Sequence, residues 1–249
     1  MPQTIEEVLV ALDQIIEETI RENNYLGIFA YVYRRTTAGV LEAVQSGSFE
    51  DNPRMEIFDV HFANYYINAY QQLKEGKPTS QSWAVAFDAR NSSITNVQHL
   101  LLGMNAHINL DLALTAATVM RGKDINLIKT DFDRVNDILA SLVNELQIRL
   151  ARVSPLFFLI DWLGRDQDEK LINFSMKQAR NQSWRTACML WKSEGEKLAL
   201  QEQLTDEAVA KIGRGIIHPP GRLLKWAIAL TQRFEEKEVK RILEGMRRD

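Results

Sequence analysis

Residues 97–112 read VQHLLLGMNAHINLDL, and this stretch decides the fold class. At about 100° of turn per residue, Leu101, Met104, Ile108 and Leu112 form one apolar stripe. Leu102, Ala106 and Ala113 lie on a second side, and Leu100, Leu110 and Leu114 on a third. A helix that is apolar nearly all round belongs inside a protein. Its polar residues must then find partners there, because an unpaired buried polar group costs about 1–3 kcal/mol.

Working outward, the flanking chain repeats the helical period. Residues 3–23 space Ile5, Val8, Leu9, Leu12, Ile15, Ile16 and Ile20 helically between acidic residues. Residues 26–46 continue with Phe29, Val32, Tyr33, Val40 and Val44. The β-branched and aromatic run at 27–33 has no partner strand in reach, so it too reads as helix. The loop SGSFEDNP at 46–53 precedes a third helix at 54–74, a short fourth at 83–90 and the hydrophobic helix at 95–121. A helix at 127–152 follows, then a short segment from Pro155 to Gly164 and one or two helices over 166–199. Thr205-Asp206-Glu207 has the residues of a helix start. IIHPPG at 216–221 is a rigid loop, and a last helix runs from about Arg222 to Met246.

With 12 Gly and 6 Pro in 249 residues, breakers are sparse. No period of roughly 20–50 residues recurs, so a solenoid is not expected. The expectation is an all-α protein. It has a single domain over residues 1–249, a bundle of about eight to nine helices around a buried polar central helix.

Composition removes several function classes. Thirty Lys and Arg against 33 Asp and Glu leave a net charge of −3, unlike a broadly basic nucleic-acid binder. The single cysteine, Cys188, excludes an internal disulfide and a Cys-rich zinc module. Glu6, Glu7, Asp13, Glu17 and Glu18 stand where a signal peptide would be basic, which predicts a cytoplasmic protein. The apolar stretch at 153–163 is too short to span a bilayer. Dinucleotide, Walker, GxSxG, HExxH and zinc-ribbon signatures are absent. Asp131, Asp133 and Asp137 lack the glycine of a calcium loop and read as a solvated helix start.

The polar residues of the central helix are ordered. His99, Gly103, His107 and Asp111 form an i, i+4, i+8, i+12 row. His107 and Asp111 are direct neighbours able to converge on one ion. His99 stands about 12 Å away along the axis, and Gly103 between them reads as open space. Gln98, Asn105 and Asn109 form a second polar set, placed to bond neighbouring helices. In the third helix His61, Asn64, Tyr65 and Asn68 share a face without Lys or Glu, beside Phe58 and Phe62. His218, stiffened by two prolines, is the fourth histidine. Three or four histidines with Asp111 would make a Zn²⁺ or Fe²⁺ site. Arg34 is a candidate for orienting a carboxylate or phosphate. Arg180 and Trp184, four apart, suggest a cation–π pair, and Trp162, Trp191 and Trp226 read as core. Cys188 has no histidine near it in sequence, a poor setting for a nucleophile.

Asn105-Ala106-His107-Ile108-Asn109 followed by Asp111-Leu112, with FANYYINAY at 62–70 and LGIFAYVYRRTT at 26–37, resembles a bacterial family classed only as a domain of unknown function. That resemblance covers most of the chain and implies an all-α fold without implying a reaction. A looser similarity is to zinc-dependent phospholipase C and S1-type nucleases, helical enzymes that use a histidine and an aspartate four apart. Their N-terminal tryptophan ligand and second His-x-x-x-(Asp/Glu) pair are missing here, which argues against a three-zinc cluster.

The leading expectation is therefore a metal-dependent enzyme, a hydrolase rather than a redox enzyme, using Zn or Fe. His61, His107 and Asp111 would hold the ion, and His99 or His218 would complete the shell. Tyr65, Asn64, Asn105 and Arg34 would support the site or orient an unknown small molecule. No nucleic acid and no membrane span are expected. Two alternatives stand beside it. One is a non-catalytic small-molecule-binding or scaffold protein with a buried His/Asn network. The other is a non-haem iron oxygenase.

Overall fold

The stretch that reads as an all-round apolar helix runs through the middle of the molecule. The computed structural model describes residues 1–154 and 176–247. Among these, every regular element is helical. The order is α1 (Ile5–Arg21), α2 (Leu26–Gln45), α3 (Asn52–Lys74), α4 (Gln81–Asp88), α5 (Asn96–Ala106), a π-helical turn (His107–Asp111), α6 (Leu112–Val119) and α7 (Lys129–Val153). After the gap come α8 (Met176–Trp191), α9 (Gly195–Ile217), α10 (Arg222–Phe234) and α11 (Val239–Arg247).

The continuous rod Asn96–Val119 is long and apolar enough to cross a membrane, but 78 % of its most apolar window is buried among the other helices. α2 and α3 pack on it from one side, α4 and α9 from another, and α8 against α6 and the π turn. α11 closes over α7 and α2. The rod is fastened at its start by a capping box. Thr95 Oγ1 accepts from Gln98 N at 3.2 Å, and Gln98 Oε1 accepts from Thr95 N at 3.0 Å. Gln98 Nε2 also donates to the Ile216 carbonyl at the end of α9. Asn105 Nδ2 donates to Val209 O, and Asn109 Nδ2 to Asn105 Oδ1. This second polar set ties the rod to α9, as its spacing suggested.

Helix boundaries follow the sequence reading through α7. The first two helices and α3 begin and end within two residues of expectation. The run at 27–33 is helical and almost wholly buried. Three readings change further on. No helix starts at Thr205, because α9 runs unbroken from Gly195 and the Thr205 hydroxyl bonds back to Gln201 O. Asp206 does perform the expected capping, but for another helix: its carboxylate accepts from Gln81 N and Ser82 N at the start of α4. The last helix breaks at Glu235, where the buried side chain accepts from Asn96 N at the head of α5.

Other expectations are corrected by burial. Asp131 is fully buried, accepting from Glu50 N, Asp51 N and the Arg54 guanidinium, so it anchors a loop instead of facing solvent. Trp226 is 59 % exposed and not core. Arg180 stacks on Phe132, and Lys129 covers Trp184, in place of an Arg180–Trp184 pair. Trp191 is half-buried and donates its indole N–H to Met120 O. Cys188 is half-buried too, with its thiol pushed up by burial. The segment from Pro155 to Gly164, with Trp162, lies outside the described residues.

Candidate functional site

The π turn builds the centre of the site. Its register shows in the Leu112 N–H, which reaches back five residues to the His107 carbonyl. Such a turn holds one more residue than an α-turn and disturbs the bonding pattern around it. Here the Thr115 hydroxyl bonds the Asp111 carbonyl at 2.7 Å. Within the turn, His107 Nδ1 lies 2.9 Å from Asp111 Oδ2, and both residues are 2 % exposed. The same carboxylate oxygen accepts the indole N–H of Trp83 at 3.0 Å. Trp83 is held in turn because Ser80 and Asp206 cap the head of α4.

Aromatic rings fix the imidazole. Phe62 stacks on it at 3.7 Å between centroids and 10° between planes. Tyr33 meets it edge-on at 4.3 Å, and Phe29 at 5.7 Å. Burial holds His107 well below its ordinary pKa, so the ring is neutral at physiological pH. Burial also pushes the Asp111 carboxyl up, against the lowering effect of the Trp83 hydrogen bond. With two protons on the pair, burial favours the uncharged arrangement, in which Asp111 donates to Nδ1 and Nε2 carries the other proton. Loss of one proton leaves a carboxylate accepting from Nδ1–H and turns Nε2 into a bare acceptor.

Among the described residues the buried His107 Nε2 has no hydrogen-bond partner. His107 lines a cavity of about 70 Å³ between α2, α3, the π turn, α7 and α8. Most of that wall is apolar, including Val32, Met55, Phe58, Ile108 and Leu112. Besides Thr36, whose hydroxyl donates to the Val32 carbonyl, three further polar groups line it. The Tyr33 hydroxyl is buried beside the Thr37 hydroxyl, and desolvation, followed by the nearby Asp59, drives its pKa well up against the lowering effect of Thr37. Asp59 Oδ2 is also unpartnered, and burial pushes that carboxyl up to about 7. Arg180 is the third.

The expected site residues separate in the fold. His107 and Asp111 meet. His61 is exposed on α3, and His218 is exposed at the end of α9. His99 stacks on Tyr25 at 4.5 Å, and burial lowers it to about 4. Among the described residues no three His, Cys, Asp or Glu side chains stand close enough to hold one ion. The Asp111 oxygen facing His107 is already engaged by the indole, so the described donors do not fit the expected Zn or Fe shell. Gly103 is not open space, because the Phe29 ring fills the position its missing side chain leaves. Tyr65 is half-buried and raised by desolvation. Asn64 Nδ2 bonds Pro2 O, and Arg34 forms a fork with Asp13 at 2.9 and 3.0 Å. Asn105 faces α9. None of these four lines the cavity. The sequence reading missed Trp83, Tyr33, Asp59 and Arg180 as site residues. Asp59 carried the one usable signal, a carboxylate flanked by Phe58 and Val60 and two residues from His61.

The model of a family of unknown function, DUF5995, matches residues 5–219. The chain belongs to that family. The match spans every residue of the cavity wall and ends before α10 and α11. No curated protein and no solved structure matches the chain. The similarity to zinc phospholipases and nucleases therefore rests on the His107–Asp111 spacing alone.

Proposed function

We propose that this protein binds a small, mostly apolar molecule in the cavity beside His107, with His107 Nε2 as a polar contact. One observation carries the reading: His107 lines an apolar cavity and its buried Nε2 has no partner among the described residues, while its other nitrogen meets Asp111, which Trp83 holds in turn. A buried polar atom left unpaired is costly, and a bound molecule relieves that cost. The cavity has about half the volume of one of about 150 Å³ that admits benzene, so it suits a ligand of a few heavy atoms. A carboxylate orienting an imidazole is also the arrangement of a general base, and any chemistry on the ligand would run through Nε2.

The metal-dependent hydrolase and iron oxygenase readings each need three ligands around one ion. Only His107 and Asp111 come together among the described residues, so the binding reading is the better supported one.

Its test is titration of the protein with butan-1-ol, followed by the indole N–H signal of Trp83 in a ¹H–¹⁵N NMR spectrum. Saturable displacement of that signal in the wild type, weakened in His107→Phe, is the expected result. A wild-type spectrum that butan-1-ol leaves unmoved overturns the reading. Parallel addition of Zn²⁺ and Fe²⁺ tests the metal alternatives on the same signal.

A further inference from the structure

Arg180 is the one cationic side chain in the cavity wall, which also holds the Asp59 carboxyl, and it is 4 % exposed. Its guanidinium carbon lies over the Phe132 ring, 4.4 Å from the centroid, and one terminal nitrogen donates to the Phe132 carbonyl. Among the described residues the Nε–H has no partner. Among the described residues no carboxylate stands within ion-pair distance. Asp133 acts on Arg180 only from farther off, and its own carboxylate is taken by Lys129. A buried cation without an anion is unusual, because desolvating a charge is offset only by pairing and hydrogen bonding. A guanidinium is also the side chain best shaped to meet a carboxylate.

We infer that the cavity takes a short apolar monocarboxylate, with its carboxylate on Arg180 and its hydrocarbon body against Val32, Met55, Ile108 and Leu112. This rests on the binding reading above and names the ligand class. The donors agree with it. Arg180 Nε–H, without a partner among the described residues, and the Tyr33 hydroxyl, which has the Thr37 hydroxyl beside it, belong to residues of the same wall and are both able to donate to an anion. While Asp59 keeps its proton, below about pH 7, Arg180 is the one charge in the wall and matches a single negative charge, whereas a phosphate would bring about two charges to one guanidinium.

The experiment compares butyrate with butyramide, its neutral isostere, on the whole wild-type chain, read by the Trp83 indole and Arg180 Nε–H signals. Butyrate is expected to bind on the order of tenfold more tightly than butyramide. Arg180→Gln should abolish that preference, and Arg180→Lys should keep part of it. Equal binding of acid and amide to the wild type overturns the inference while leaving the cavity reading intact, since the uncharged body still binds. Failure of butyrate, butyramide and butan-1-ol alike overturns both. The wild-type comparison decides the matter even where Arg180→Gln does not fold.

Discussion

The indole nitrogen of Trp83 stands 3.0 Å from Asp111 Oδ2, the oxygen that also contacts His107. A residue from a short helix thus sets the electrostatics of a carboxylate in the central rod. Trp83→Phe keeps an aromatic ring, deletes the donor and removes the five-membered ring that carries it. The buried oxygen then loses one of its two partners, and the variant should unfold about 1–3 kcal/mol more easily in urea. Asp111 should also titrate higher, because the Trp83 bond is what lowers it. Wild-type stability in this variant would show that the bond contributes nothing.

Asp59 predicts a pH dependence. Its folded carboxyl titrates at about 7, against an unfolded value of about 3.9. Between those values the folded state keeps a proton that the unfolded state releases, so stability falls as pH rises from about 4 to about 7. Three units correspond to about 4 kcal/mol as an upper bound. Asp59→Asn removes the titration, and its stability relative to wild type should climb across that window. Parallel stability curves would contradict the assignment.

His99 acts in the opposite direction. Its folded imidazole is held at about 4, below an unfolded value of about 6.5. Its neutral form contributes full stability above pH 6.5, and that is lost as pH falls towards 4, by about 3 kcal/mol. His99→Phe preserves the stack on Tyr25 and should flatten this acid limb in equilibrium unfolding between pH 4 and 7.

Gly103 tests whether the site and the core are one structure. A methyl group there would run into the Phe29 ring, which contacts Tyr33, Tyr66, Trp83 and His107. Gly103→Ala should cost about 1–3 kcal/mol, the usual range for overpacking. It should also shift the Trp83 indole signal. A destabilised variant with an unmoved signal would show that Phe29 yields without disturbing the dyad.

Much of the fold was legible from local pattern. Apolar spacing located α1 to α7 because each helix must turn one face to the core, and that face repeats every 3.6 residues. The same logic marked 97–112 as buried and paired His107 with Asp111, since contacts four residues apart are built into a helix. The π turn left no trace in that period, because one extra residue hardly alters an apolar count.

What tertiary structure alone decided is which polar groups meet across helices. Asp206 looks like the cap of its own helix and caps α4 instead. Asp131 looks solvated and is buried, because the loop before α3 folds over it. The four histidines suggested one centre, yet burial, stacking and exposure send them to separate places. Tyr33, Asp59 and Arg180 line one cavity with His107, and Trp83 reaches Asp111, from four helices with no shared spacing in the chain. Periodicity constrains each helix about its own axis. The relative placement of two helices depends on side-chain packing between them, and no local pattern encodes it.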